Sequence, residues 1–145
     1  ASSLHKTISH RCRDVSEAMD CLAAGYFIAL CGPTIRAKIG PDGIATSETR
    51  GMHATELAGI CVSAGGNDLF IEQQSWGNYF RPDVKLKYKE GTKQLREGSF
   101  GTPPEKVASA MRSGGEMWAF SMDRKQLWKP NSMADALGGR NNTVS

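Results

Sequence analysis

His53 and Gln74 are the two residues of this chain whose types and surroundings point most clearly to chemistry. An imidazole can accept a proton from a thiol near neutral pH. A carboxamide that hydrogen-bonds to one ring nitrogen fixes the tautomer and leaves the other nitrogen facing the nucleophile. Together they would supply the base and the orienting residue of a site that also needs a thiol.

Two predicted strands would position this pair. Residues 54–62 alternate with period two, and residues 69–74 form a β-rich run after the turn segment Ser-Ala-Gly-Gly-Asn-Asp. In an antiparallel hairpin, a loop with an even number of residues puts His53 and Gln74 on one sheet face, whereas an odd loop separates them. We predict the shared face, with Trp76 in the same contact cluster because it follows the strand immediately.

A helix and a further strand precede the hairpin. Apolar side chains at i, i+3, i+4 and i+7 predict a short amphipathic helix over residues 14–24, which Asp14 would cap and Gly25 would end. The strand Tyr-Phe-Ile-Ala-Leu-Cys then starts at Tyr26. A loop rich in glycine and proline is predicted between this strand and His53.

Residues 51–54 read Gly-Met-His-Ala, and residues 74–77 read Gln-Ser-Trp-Gly. This pairing resembles the C-terminal half of papain-like cysteine peptidases, where the catalytic histidine precedes alanine and the orienting asparagine precedes Ser-Trp-Gly. The resemblance covers about residues 14–80 and includes a likeness to papain-like proteins encoded by bacteriophages. It implies that His53 is the general base and Gln74 the orienting residue. Trp76 would keep water from their contact, with a plain core aromatic as the alternative.

The expected fold is α+β. We predict a papain-like antiparallel curved sheet, forming a half-barrel, with two short helices over residues 14–24 and near residues 104–112. The second helix follows from a proline in its first turn and glycines after its end. A polar leader would span residues 1–13, the papain-like domain residues 14–130, and a flexible or partner-bound tail residues 131–145.

Two departures from the family pattern bear on function. Gln74 stands where the family has asparagine, which moves the carboxamide one methylene further out. The family's nucleophile segment, similar to Cys-Gly-Ser-Cys-Trp, does not occur in this chain, and only 52 residues precede His53. The nucleophile half is therefore missing, shrunken or on another chain, and within this chain Cys12 is the less favoured alternative.

Cys12 is the best candidate thiol because it lies two residues before the predicted helix cap at Asp14. Helix amides there would lower the pKa of a thiol and favour a nucleophile, whereas the alternative is an inert packing cysteine. The four cysteines show no Cys-x-x-Cys pair and no metal-site spacing, so we predict unlinked thiols and no metal. Two disulfides are the open alternative, and a reducing compartment is favoured.

Composition limits the classes of function. The 145 residues make one domain, and 39% hydrophobic with 23% charged residues is typical of a soluble globular protein. No apolar run is long enough for a membrane span, and the N-terminal segment lacks the apolar stretch of a signal peptide. A net charge of +3 is too small to indicate nucleic acid as a partner, and no cofactor motif is visible.

A basic stretch lies between Arg81 and Arg96. Its lysines alternate with apolar residues such as Leu86 and Tyr88. This pattern is typical of an edge strand whose charges block strand addition, and the alternative is a surface for an acidic partner.

Two functions are compatible with these features. We predict a papain-fold pseudoenzyme that serves as a structural or binding subunit of an assembly such as a virion. Its partners would be other protein subunits, either copies of itself or different chains. The alternative is an active cysteine peptidase with a peptide substrate, using His53 and Gln74 with a thiol from another chain or with Cys12.

Overall fold

A computed structural model describes residues 8–74 and 85–121. Within these ranges the prediction of an α+β fold with a mostly antiparallel sheet and two short helices is confirmed. In chain order the elements are β1 (Ile8–Cys12), α1 (Val15–Ala23), β2 (Phe27–Ile39), β3 (Ala45–Val62), β4 (Asp68–Gln73), β5 (Lys85–Tyr88), β6 (Gly91–Gln94), β7 (Ser99–Thr102), α2 (Pro104–Arg112) and β8 (Glu116–Ser121).

The main sheet has six strands. Its strands follow the order β1-β8-β2-β3-β4-β7 and all pair antiparallel, while β5 and β6 form a separate hairpin. The long hairpin of β2 and β3 bends until its tip reaches β7, where Ile44 bridges Gly101. The Gly101 N–H donates to the carbonyl oxygen of Gly43 at 2.9 Å. The inner face of the sheet therefore brings together side chains from strands that are not neighbours.

A glycine at the hairpin tip permits this closure. Gly43 has a φ of +84°, and a Cβ built on it would lie 2.5 Å from the carbonyl oxygen of Lys85. Any side chain there would collide with the backbone of β5, so only glycine fits. The Lys87 N–H also donates to the carbonyl oxygen of Asp42 at 3.0 Å, which fixes the tip against β5.

The region between Cys31 and His53 differs from the prediction of a loop. β2 and β3 continue through it as a paired hairpin. The register shifts at Pro33, which stands opposite both Gly51 and Met52. Because proline offers no N–H to the ladder, the extra residue is accommodated as a bulge, and the strand bends there instead of ending.

Both helices pack on one face of the sheet. As predicted, Asp14 caps α1, and its carboxylate accepts a hydrogen bond from the Glu17 N–H at 2.8 Å. Gly25, with a φ of +93°, follows the end of this helix. α2 spans the predicted residues. The core beneath the helices includes Cys12, Ala18, Leu22, Ile28, Leu30, Leu57, Phe70, Val107, Met117 and Ala119.

A second core lies under the β5–β6 hairpin. Leu86 is fully buried in it and Tyr88 is partly buried, whereas Lys85 and Lys87 are exposed, which is the predicted alternation. Val84 and the start of the predicted basic stretch lie outside the described residues.

The end of the predicted polar leader is a strand. β1 pairs with β8 from Ile8 opposite Ser121 to Cys12 opposite Met117. Residues at the end of the leader therefore belong to the sheet and contribute to its core through Cys12. In the part of the chain that the structure describes, no helix has the length and apolar character to cross a membrane.

Candidate functional site

His53 lies on the helix-covered face of β3. It stands opposite Gly32 of β2, one residue beyond the bulge, and its side chain is half-buried. Burial lowers the pKa of His53 below its ordinary range. The imidazole is therefore neutral near pH 7, which is the form that can accept a proton.

A small polar cavity adjoins His53. Its volume of about 10 Å³ gives room for about one water molecule. Ala110 of α2 lines it with a methyl group, so this helix presents no nucleophile to the cavity. The polar lining consists of Thr34, Arg36, His53, Thr55 and Glu72.

A buried charge network continues from this cavity. Arg36 is 2% exposed, and its Nη1 donates to Oε2 of Glu48 at 2.7 Å. Its Nε lies 3.5 Å from Oε2 of Glu72, which is 1% exposed. Lys106 of α2 approaches the other oxygen of Glu48 at 3.8 Å. One guanidinium therefore joins β2 to carboxylates on β3 and β4, and it holds the curved hairpin over the sheet.

Glu72 is the most perturbed acid of this network. Burial, opposed by Arg36 and supported to a smaller extent by Glu48, raises the pKa of Glu72 to about 7. Neither oxygen of Glu72 makes a hydrogen bond within the described residues. The carboxyl group therefore carries a proton over part of the physiological pH range, which a solvated glutamate does not.

Neither Arg36 nor Glu72 was predicted as a site residue. The sequence does indicate that Glu72 is buried. It directly follows the apolar run Leu69–Ile71, and strand alternation points its side chain to the same face as the buried Phe70. A charged side chain at a buried strand position needs a partner. No comparable local pattern identifies Arg36 as that partner, since the bend of the β2–β3 hairpin brings the two residues together.

Gln74 lies beside the His53 region but not against its cavity. Gln73 ends β4 opposite Glu56. If the register is continued by one residue, Gln74 comes opposite Thr55, two residues from His53 on the same side of β3. Gln74 is 3% exposed, and its carboxamide atoms have no hydrogen-bond partner within the described residues. The register thus brings Gln74 near His53, while the orienting hydrogen bond between them is not formed.

Cys12 is not brought to His53. It pairs with Met117 of β8, which pairs with Leu30 of β2, which pairs with Thr55 of β3. Three strand spacings separate Cys12 from Thr55, a distance of roughly 14 Å. The expected lowering of its pKa is not found: burial, reinforced by the neighbouring Cys21, raises the pKa of Cys12 to about 11.

The other three cysteines do not face His53 either. Cys21 is on α1 beside Cys12. Cys31 pairs with Ala54 and therefore points to the opposite face of the sheet. Cys61 is eight residues further along β3, roughly 26 Å away along an extended strand. All four cysteines of the chain are described and free, so none of its own thiols is placed to be activated by His53.

Two other expectations concern Trp76 and metals. Trp76 lies outside the described residues, as does the predicted tail over residues 131–145. Within residues 8–74 and 85–121, no group of three or more histidine, cysteine or acidic side chains is arranged to hold a metal ion.

Comparisons with protein-family models, with curated proteins and with solved structures found no match. Two features of the chain itself bear on its function: a neutral His53 that no thiol of the chain reaches, and the distribution of apolar side chains over the sheet.

Proposed function

We propose that this chain is a papain-like pseudoenzyme that acts as a structural or binding subunit of a protein assembly. The observation that carries the proposal is an apolar surface on the side of the sheet opposite the helices. We name it the outer face, formed by Phe27, Ala29, Cys31, Trp118 and Phe120.

The outer face belongs to β2 and β8. Alternation along these strands turns its residues away from the helix-covered core. The rings of Phe27 and Phe120 lie 5.9 Å apart, and Trp118 is 40% exposed. Three aromatic side chains on one face of two neighbouring strands, one of them exposed, favour an interaction site for another protein.

The proposal that the chain has no peptidase activity rests on the positions of its four thiols, none of which lies near His53. A histidine can serve an acyl-transfer reaction only with a nucleophile within hydrogen-bond reach.

The antiparallel sheet and the sequence around His53 support the proposed papain-like fold. A bend that carries the β2–β3 tip to β7 is the kind of curvature that a half-barrel requires.

Sedimentation velocity over a range of protein concentrations tests the proposed role. The wild-type chain should associate, and Trp118→Glu should weaken the association by roughly 30-fold, because a buried tryptophan at an interface contributes about 2 kcal/mol or more. Thr92→Glu, which adds the same charge at an exposed position of β6, should leave association unchanged. A chain that stays a 15.7 kDa monomer throughout and takes up no partner subunit would contradict the proposal.

A second candidate is a cysteine peptidase whose thiol comes from another chain. The observation in its favour is a groove of about 420 Å³ at the bulge beside His53, lined by residues that include Pro33, Arg50 and Met52. Such a groove could admit a segment of a second chain near His53, which follows the lining residue Met52 but does not itself line the groove. Activity that appears only when a thiol-bearing chain is added, and that His53→Ala abolishes, would favour this candidate over the first.

A further inference from the structure

A second pocket, of about 310 Å³, lies at the far end of β3, away from His53. Its apolar walls come from Met19 of α1, Ile60 and Val62 of β3, and Tyr88 of β5. β2 does not cover this part of β3, because their pairing begins only at Leu57. The pocket therefore lies where α1, the main sheet and the β5–β6 hairpin meet.

The pocket carries negative charge. Asp68 and Glu90 line it and are exposed, and neither forms an ion pair within the described residues. Cys61 also lines the pocket. Its pKa is raised to about 11, mainly by burial and further by the negative charges of Glu90 and Asp68. Lys89 precedes Glu90 but is not part of the lining. Two carboxylates that form no ion pair among the described residues thus flank an apolar pocket on a chain whose net charge is +3.

We propose that this pocket binds a lysine or arginine side chain presented by a partner polypeptide. The aliphatic stem of such a side chain would pack against Met19 and Ile60, and its charged end would lie between Asp68 and Glu90. The ring of Tyr88 offers a further favourable surface to a cation. A neutral apolar side chain would leave the carboxylates unpaired, and an acidic one would be repelled.

This inference rests on the proposed function in one respect: the partner that presents the basic side chain is another subunit of the assembly. The pocket itself shares no residue with the His53 cavity or with the outer face. A failure of the inference is therefore distinguishable from a failure of the assembly role, which the Trp118 variant tests separately.

Cys61 provides a reporter inside the pocket. We would measure its modification by two methanethiosulfonate reagents of similar size, the 2-aminoethyl reagent, which is cationic, and the 2-sulfonatoethyl reagent, which is anionic. At low ionic strength Cys61 should react faster with the cationic reagent than with the anionic one. The double variant Asp68→Asn, Glu90→Gln should reduce the ratio of these two rates by roughly tenfold. The ratio of rates at the exposed Cys31 should not change in the double variant. An unchanged ratio at Cys61 would overturn the proposal.

A competition experiment tests the polypeptide origin of the cation. The tripeptide acetyl-Gly-Lys-Gly-amide should slow the reaction of Cys61 with neutral N-ethylmaleimide. The matched peptide with norleucine in place of lysine has the same aliphatic stem without the charge, and it should protect much less. Equal protection by both peptides, or protection by neither, would overturn the assignment of the pocket to a basic side chain.

Discussion

Replacing Arg36 by leucine should lower the free energy of unfolding by about 3–5 kcal/mol at pH 8, as measured by urea denaturation. The guanidinium is 2% exposed and lies 2.7 Å from a carboxylate oxygen of Glu48 and 3.5 Å from one of Glu72. Its removal takes away the cation that lowers the pKa of Glu72, and it leaves the carboxyl groups of Glu72 and Glu48 without their shared partner. It also releases the link that holds the bent β2–β3 hairpin over β4.

Arg112 provides the matched control for this substitution. Its ion pair with Glu105 is as short, at 2.7 Å, but both side chains are more than half exposed. Arg112→Leu should therefore change the free energy of unfolding by less than about 1 kcal/mol. At pH 5 the effect of Arg36→Leu should shrink, because Glu72 then carries a proton with or without Arg36 and needs no cation beside it. Equal effects of the two substitutions at pH 8 would contradict the buried network.

Glu72→Gln should remove a pH dependence that the wild-type chain possesses. Burial raises the pKa of Glu72 from 4.5 to about 7 in the folded chain. Between these values the folded chain keeps a proton that the unfolded chain has released. The contribution of Glu72 to stability is therefore fully present below pH 4.5 and is lost as the pH rises towards 7, by an amount on the order of 3 kcal/mol.

The measurement compares the free energy of unfolding of wild type and Glu72→Gln at several pH values from 5 to 8. As the pH rises, the free energy of unfolding of Glu72→Gln should increase relative to that of the wild type. His53 acts in the opposite direction, because burial lowers its pKa and its contribution is lost as the pH falls. Both proteins contain His53, so their difference isolates Glu72. Glu105→Gln, at an exposed carboxyl group, should give a curve parallel to wild type; a parallel curve for Glu72→Gln would contradict the assigned pKa.

Local patterns were sufficient for the helices and for much of the sheet. The Asp14 cap, the apolar spacing of α1 and the proline at the start of α2 each act within a few residues, so the sequence contains the whole cause. The same holds for the alternation around Leu86 in β5. These features predicted the α+β class without reference to long-range contacts.

The bend at Pro33 and the charge network could not be predicted in this way. Glycine and proline between two strands are usually typical of a loop, and only the pairing of β2 with β3 shows that a bulge accommodates the proline. The partner of Glu72 likewise depends on where the bent hairpin brings Arg36. For Cys12, the pairing of β1 with β8 buries the thiol, and this burial outweighs the position before α1.

We propose that this chain contributes a surface rather than a nucleophile, and labelling with an epoxide probe of thiol peptidases tests that claim most directly. We predict slow modification spread over the more accessible cysteines, with a rate that His53→Ala leaves unchanged. None of the four thiols lies where His53 could activate it, and burial raises the pKa of Cys12 to about 11. Stoichiometric, pH-dependent modification of Cys12 that is lost in His53→Ala would show instead that the chain is an active cysteine peptidase.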